Sequence, residues 1–186
     1  TVYGVFILAD EMKDNAGETI QSLKLQNIKT VILTGDKKEA AHLLADQIGI
    51  DEIYAEVLPE DKTHIIKSLQ DKGEIVCMLG DGINDAPAIA QADVGVAMGT
   101  GTDIAMETGD IILVKGDLLK LNQTFSLAKK TFQKIRQNLF WASIYNLIAI
   151  PMAIFGVLHP ILAEAAMAFS SINVVWNSNR LRRETL

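Results

Sequence analysis

Leu79-Gly80-Asp81-Gly82-Ile83-Asn84-Asp85-Ala86-Pro87-Ala88 is the stretch on which the fold turns. It continues the apolar run Ile75-Val76-Cys77-Met78-Leu79, which reads as a strand buried on both faces. The glycines permit a tight turn, and Pro87 suits the first turn of a helix. Asp81 and Asp85 therefore lie close together across a strand-to-helix turn. Two carboxylates held there repel unless a cation joins them, and Mg²⁺ fits because it takes few protein oxygens plus phosphate and water. A bare Gly-Asp turn is commonplace, whereas the full string is specific.

Outward from this turn, short apolar runs alternate with amphipathic ones. Strands are predicted at residues 2–8, 29–33, 52–55, 75–79, 94–98 and 111–114, and helices at 15–26, 37–48, 59–71, 86–92 and 103–108. Such alternation indicates a mostly parallel α/β sheet with helices on both faces. Ligands bind beyond the carboxyl ends of strands in such sheets. Val31-Ile32-Leu33 ends in Thr34-Gly35-Asp36, where a hydroxyl and turn amides can hydrogen-bond a phosphoryl oxygen. Capping of the helix that follows is an equal reading of that triplet. Lys62 follows Pro59-Glu60-Asp61 at a helix start. A lone lysine there is usually solvated; its functional reading is an ammonium that neutralises a phosphoryl group.

The chain has 186 residues, of which 49% are hydrophobic, and a formal net charge of −6. That balance, with no basic stripe, argues against a general nucleic-acid binder. Cys77 is the lone cysteine, forms no internal disulfide, and reads as a buried, inert thiol. His42, His64 and His159 are scattered and give no zinc spacing. The chain opens at Thr1 within a strand-like run, which reads as a segment of a longer chain.

The second half has a different character. Residues 138–158 carry no charge, and residues 161–179 carry Glu164 alone. Each run approaches the roughly 20 residues a bilayer span needs. His159-Pro160 breaks them into a hairpin, with Lys129, Lys130 and Arg136 before it and Arg180, Arg182 and Arg183 after it. The positive-inside rule then sets both ends and the soluble part in the cytoplasm. A pair of buried core helices is the alternative. The expected division is residues 1–117 as a soluble domain, 118–137 as a stalk helix, 138–158 and 161–179 as transmembrane helices, and 180–186 as a tail. Pro151 lies within the first run, depriving the Leu147 carbonyl of its helical donor. Met167 and Ser171, four apart, share a helix face, and the soft thioether of methionine favours Cu(I).

Three motifs, Thr34-Gly35-Asp36, Pro59-Glu60-Asp61-Lys62 and the Gly80–Ala88 string, occur in an order and spacing that closely resemble the second half of the phosphorylation domain of P-type ATPases, a branch of the haloacid-dehalogenase-like fold. Ala92-Asp93-Val94-Gly95-Val96-Ala97-Met98-Gly99 and Gly101-Thr102-Asp103 fit the same pattern. The resemblance implies that Thr34, with Gly35 and Asp36, contacts the phosphoryl group and that Lys62 stabilises its charge. It implies that Asp81 and Asp85 form the Mg²⁺ site, with Asn84 completing it. Tyr145-Asn146 followed by Met167, Ser170 and Ser171 resembles the last two spans of copper(I)-transporting heavy-metal pumps. It implies Tyr145, Asn146, Met167 and Ser171 as ligands of transported Cu⁺.

The resemblance further implies ATP as cofactor, export of copper(I) through an aspartyl phosphate, and an integral protein of the cytoplasmic membrane. Membrane lipid, the pump's actuator and nucleotide-binding domains, its earlier spans and a copper chaperone are the implied partners. The family's phosphorylated aspartate, in an Asp-Lys-Thr-Gly-Thr string, does not occur here. Asp10 matches a different, non-phosphorylated residue of the family. The chain alone is therefore expected to be inactive, with a gap where the family's central strand would lie. A zinc or cadmium pump and a truncated, non-catalytic metal-binding membrane protein are the alternatives. Zinc and cadmium pumps tend to carry a lysine and an aspartate inside these spans, and neither appears here.

Overall fold

The computed structural model describes residues 12–13, 15–81, 83–99, 103–156 and 159–184. The chain divides into two compact units, Thr1–Asn122 and Gln123–Leu186. The strand predicted at 2–8 and Asp10 lie outside the described residues.

The first unit alternates strand and helix. In chain order the elements are α1 (Ala16–Leu25), β1 (Val31–Leu33), α2 (Lys38–Ile48), β2 (Glu52–Tyr54), α3 (Pro59–Asp71), β3 (Cys77–Gly80), α4 (Ala86–Gln91), β4 (Val94–Met98), α5 (Asp103–Thr108) and β5 (Ile111–Leu113). All strand pairing among the described residues is parallel: β1 with β2, and β3 with β4 and β4 with β5. The α/β character expected from the alternation is thus what the chain builds.

Local chemistry explains the elements. Pro59 opens α3, and Glu60 and Asp61 follow in its first turn, where carboxylates complement the helix dipole. In α2, Ala41 and Ala45 stack on one buried face, and Gly49 ends the helix at φ 76°, its N–H donating to the Ala45 carbonyl at 2.7 Å. Ile66 from α3, Met78 from β3 and Ala88 and Ile89 from α4 form a buried cluster, with Leu33, Val76 and Ala92 packed against it. Gln70 and Gln91 tie the far ends of α3 and α4 together through hydrogen bonds of 3.0 and 2.9 Å.

The sheet falls into two pieces, β1-β2 and β3-β4-β5. Among the described residues β1 pairs only with β2, and β3 only with β4, so each keeps an unpaired edge. This corrects the expectation that both strands are buried on both faces. Val31, Ile32 and Leu33 are half-buried, and Ile75, just before β3, is 86% exposed. Cys77, expected to be buried, is exposed as well. A strand with a neighbour on one side only leaves part of its surface open.

The second unit is helical. α6 runs Leu119–Ile154, continuing without a break from the stretch expected as a stalk and carrying Pro151 inside it. α7 runs Pro160–Glu184. These are the runs expected to cross a bilayer, and that expectation is corrected. Among the described residues no helix is long and apolar enough to cross a membrane. Asn138, Ser143, Tyr145 and Asn146 in α6, and Ser170, Ser171, Asn173, Asn177 and Ser178 in α7, interrupt the apolar side chains and dilute both runs. Large apolar side chains between them are nevertheless exposed, among them Leu147 at 73% and Trp176 at 70%.

Candidate phosphoryl site

Lys62 lies one helical turn before the fully buried Ile66, so the packing that seats Ile66 also fixes the face on which Lys62 emerges. Asp85 closes the turn Ile83–Asp85 just ahead of α4, whose Ala88 and Ile89 belong to the same core. The two side chains meet above that core. Lys62 Nζ donates to Asp85 Oδ1 at 2.6 Å, with the side chains only 14% and 15% exposed. At that burial the pair is a fixed element, since separating either charge leaves the other poorly solvated.

Gly80 is required for this arrangement. A Cβ built there would lie 2.6 Å from Asp85 Cβ and 3.0 Å from its carboxylate. Absence of a side chain at the end of β3 is what lets the Asp85 carboxyl fold back over the strand. Asp81 follows at the mouth of β3 with its side chain exposed, and Asn84 is exposed in the turn.

The Thr34 loop is built by a second set of bonds. Thr34 N–H donates to the Tyr54 carbonyl at 3.0 Å, extending the β1-β2 ladder by one step, and Val57 N–H returns to the Thr34 carbonyl at 3.0 Å. Glu56, in the left-handed region at φ 59°, turns the chain so that its N–H reaches the Asp36 carbonyl at 2.9 Å. The loop before α3 is thereby stitched to the loop after β1. Gly35 sits against the Val57 carbonyl, which a Cβ would approach to 3.5 Å. The Thr34 hydroxyl donates to Asp36 Oδ2 at 2.7 Å and accepts from the Asp36 N–H at 3.1 Å.

Thr34 with Asp36, and Lys62 with Asp85, are thus two bonded pairs, each just past the carboxyl end of a strand or at the helix start beside one. Among the described residues no hydrogen bond or ion pair joins one pair to the other, or joins Asp81 to either. No group of three or more His, Cys, Asp or Glu side chains that could hold a metal ion occurs among the described residues. The sequence reading missed Glu56 and the crowding at Gly80. A left-handed glutamate leaves no signature in composition, and Gly80 reads as a turn residue until the Asp85 side chain is seen against it.

The residues expected to ligate transported metal lie on α6 and α7, and two of them, Asn146 and Ser171, bond within their own helices. Asn146 Nδ2 donates to the Ala142 carbonyl, and Ser171 Oγ to the Met167 carbonyl, each at 3.1 Å. Tyr145 is half-buried, and Met167 is 68% exposed.

A family model described as haloacid dehalogenase-like hydrolase matches residues 1–93, and the chain belongs to that family. The chain is 52% identical to a probable copper-importing P-type ATPase A of Enterococcus hirae, the match covering 100% of this chain and 26% of that protein. A copper-exporting P-type ATPase of Staphylococcus epidermidis is 49% identical over 100% of this chain and 23% of its own length. The crystal structure of a zinc-transporting PIB-type ATPase in its E2.Pi state superposes with a TM-score of 0.87 at 38% identity, covering 92% of this chain and 28% of that one. Along its whole length the chain is therefore a relative of the P-type ATPases, which are translocating enzymes, and it spans about a quarter of the curated relatives' length.

Proposed function

We propose that this chain is the C-terminal part of a copper(I)-exporting P-type ATPase, carrying one side of the phosphoryl site and the last part of the ion pathway. The observation that carries the reading is the Lys62–Asp85 pair at the mouth of β3. It presents a fixed ammonium where a phosphoryl group has to lose charge. Thr34, with the Gly35 and Asp36 amides, is the second contact to that group. In the present arrangement the Thr34 hydroxyl proton is held by Asp36, so the hydroxyl rotates before it can donate elsewhere.

The residues present fit magnesium. Asp81 is an exposed carboxylate that follows Gly80 directly, and Asp85, packed against Gly80, is oriented by Lys62. Magnesium bound at Asp81 would draw charge from the phosphoryl oxygens and lower the barrier to transfer. The phosphate-accepting aspartate and the ATP site come from the remainder of the pump in this reading.

On α6 and α7, Tyr145, Asn146, Met167 and Ser171 are the proposed Cu⁺ ligands, and thioether chemistry favours that cargo. In this reading the remainder of the pump covers the exposed apolar faces of α6 and α7. The zinc-transporting structure supports a second reading, a zinc pump, which the missing intrahelical lysine and aspartate disfavour. The test is ATP turnover by the full-length protein with each metal. Stimulation by Cu(I) and not by Zn²⁺, abolished by Lys62→Ala, is expected; stimulation by Zn²⁺ alone overturns the copper assignment.

A further inference from the structure

α6 and α7 are joined by a ladder of side-chain amides that the proposed reaction does not use. Asn177 Nδ2 donates to Asn138 Oδ1 at 2.8 Å and to Gln137 Oε1 at 3.3 Å. Asn138 Nδ2 donates in turn to Ser178 Oγ at 2.9 Å. The neighbours of these residues turn the other way. Leu139 and Phe140 beside Asn138, and Val175 and Trp176 beside Asn177, are exposed apolar side chains. Amides thus join the two helices at this level, while the large apolar side chains beside them are exposed.

Amide pairs of this kind specify register, because a slip leaves donors and acceptors unmatched. Here Gln137 and Asn138 match Asn177 and Ser178. A slip of one turn in one direction sets Asn138 against Asn173 and Val174, losing a polar partner; in the other direction it meets Leu181. A turn is about 5.4 Å of translation. Antiparallel helices advance equally per residue, so equal steps from the Asn138–Asn177 pair bring Tyr145 level with Ser170 and Asn146 level with Phe169. The register held by the amides brings Ser171 within one residue of the Tyr145 level, and so brings together the two helices' residues assigned to cargo binding.

We propose that Gln137, Asn138, Asn177 and Ser178 form a register clamp: positioning residues that hold Tyr145 and Asn146 level with Ser170 and Phe169, next to Ser171, acting through the helix pair and touching no cargo. This rests on the reading of Tyr145, Asn146, Met167 and Ser171 as cargo ligands. The experiment uses the full-length protein in phospholipid vesicles, with Cu(I) under reducing conditions as probe. Cu(I)-stimulated ATP hydrolysis is measured beside phosphoenzyme formed from inorganic phosphate, which reads the phosphoryl site alone. Asn177→Leu is expected to raise half-saturating Cu(I) about tenfold, with turnover at saturation within about twofold, as the loss of a short interhelical hydrogen-bond network predicts. Phosphoenzyme from phosphate stays at the wild-type level. Asn138→Leu/Asn177→Leu is expected to be no worse than either single change, and Asn177→Gln, which keeps the amide, to recover most of the affinity. Asn177→Ser carries the same expectation as Asn177→Leu and serves if the leucine variant fails to fold. Wild-type half-saturation in Asn177→Leu or Asn177→Ser, while Met167→Ala loses its Cu(I) response, overturns the clamp alone. An unchanged Cu(I) response in Met167→Ala overturns the ligand reading on which it rests.

Discussion

Lys62 and Asp85 illustrate how a surface-type residue becomes a fixed charge. Sequence context gave Lys62 an ordinary solvated role as its first reading; the core beneath it, through Ile66 and Ile89, removes most of the water around it. Lys62→Met leaves Asp85 as a poorly solvated, unpaired carboxylate, and breaking a buried pair this way costs about 3 kcal/mol. Urea denaturation of the chain should show that loss, whereas Lys67→Met, one turn and a face away, should leave the midpoint nearly unchanged. Gly80→Ala tests the neighbouring cradle. The added methyl meets Asp85 Cβ at 2.6 Å, and forcing extra carbon into such a contact costs roughly 1–3 kcal/mol. Both stability and phosphoenzyme yield in the full-length protein should fall together, because displacing Asp85 also releases Lys62. A Gly80→Ala protein of wild-type stability would mean that Asp85 is free to move aside.

At the scale of elements, the start of β1 and the turn into β2 are locked by one carboxylate. Asp51 accepts from the Thr30 N–H at 2.8 Å, from Lys24 at 2.9 Å and from the Thr30 hydroxyl at 2.7 Å. These bonds, the backbone one foremost, hold its carboxyl well below the usual carboxylate range. Asp93, bonded by the Val76 N–H, and Glu52, paired with Lys29, are lowered too. An unfolded aspartate titrates near about 3.9, so the stabilising bonds are fully present above that pH and are lost as acid titrates the folded carboxylate. The chain should therefore lose stability steadily below about pH 4. Asp51→Asn should flatten that slope without removing it, as followed by the urea midpoint from pH 6 to pH 3. The elements that carry these bonds were largely legible beforehand. α3 and β4 have the bounds read from the residues, because Pro59 marks a start and Val94-Gly95-Val96-Ala97-Met98 is a clean apolar run. β3 begins at Cys77 and not at Ile75: the Val76 N–H is taken by the Asp93 carboxylate, while its carbonyl accepts from the Asp93 and Val94 amides just ahead of the first paired residues. The apolar runs of the second unit were read for length and charge; what that reading underweighted was the recurrent Asn and Ser, which lower the hydropathy and, at Asn138 and Asn177, pair with each other.

For the whole molecule, the sequence bears on what this chain does alone. Among the described residues β1 and β3 each lack a neighbour on one side, and the sequence contains no Asp-Lys-Thr-Gly-Thr string. Incubated alone with ATP and Mg²⁺, the chain should form no acid-stable phosphoenzyme; detecting one would show that an aspartate within it serves as nucleophile. The α/β class and its strand-end loops could be read directly from Thr34-Gly35-Asp36 and the Gly80–Ala88 string, whereas which side chains bond to which could not, because that depends on packing between distant segments. Cys77 carries a further consequence. It lies exposed on β3, yet the loss of solvent around its sulfur, with the negative Asp110 nearby, pushes its thiol up to about 11. At neutral pH only about one molecule in ten thousand then carries the thiolate, the form that captures soft metals and reacts with alkylating agents. Iodoacetamide should therefore label this sulfur far more slowly than free cysteine.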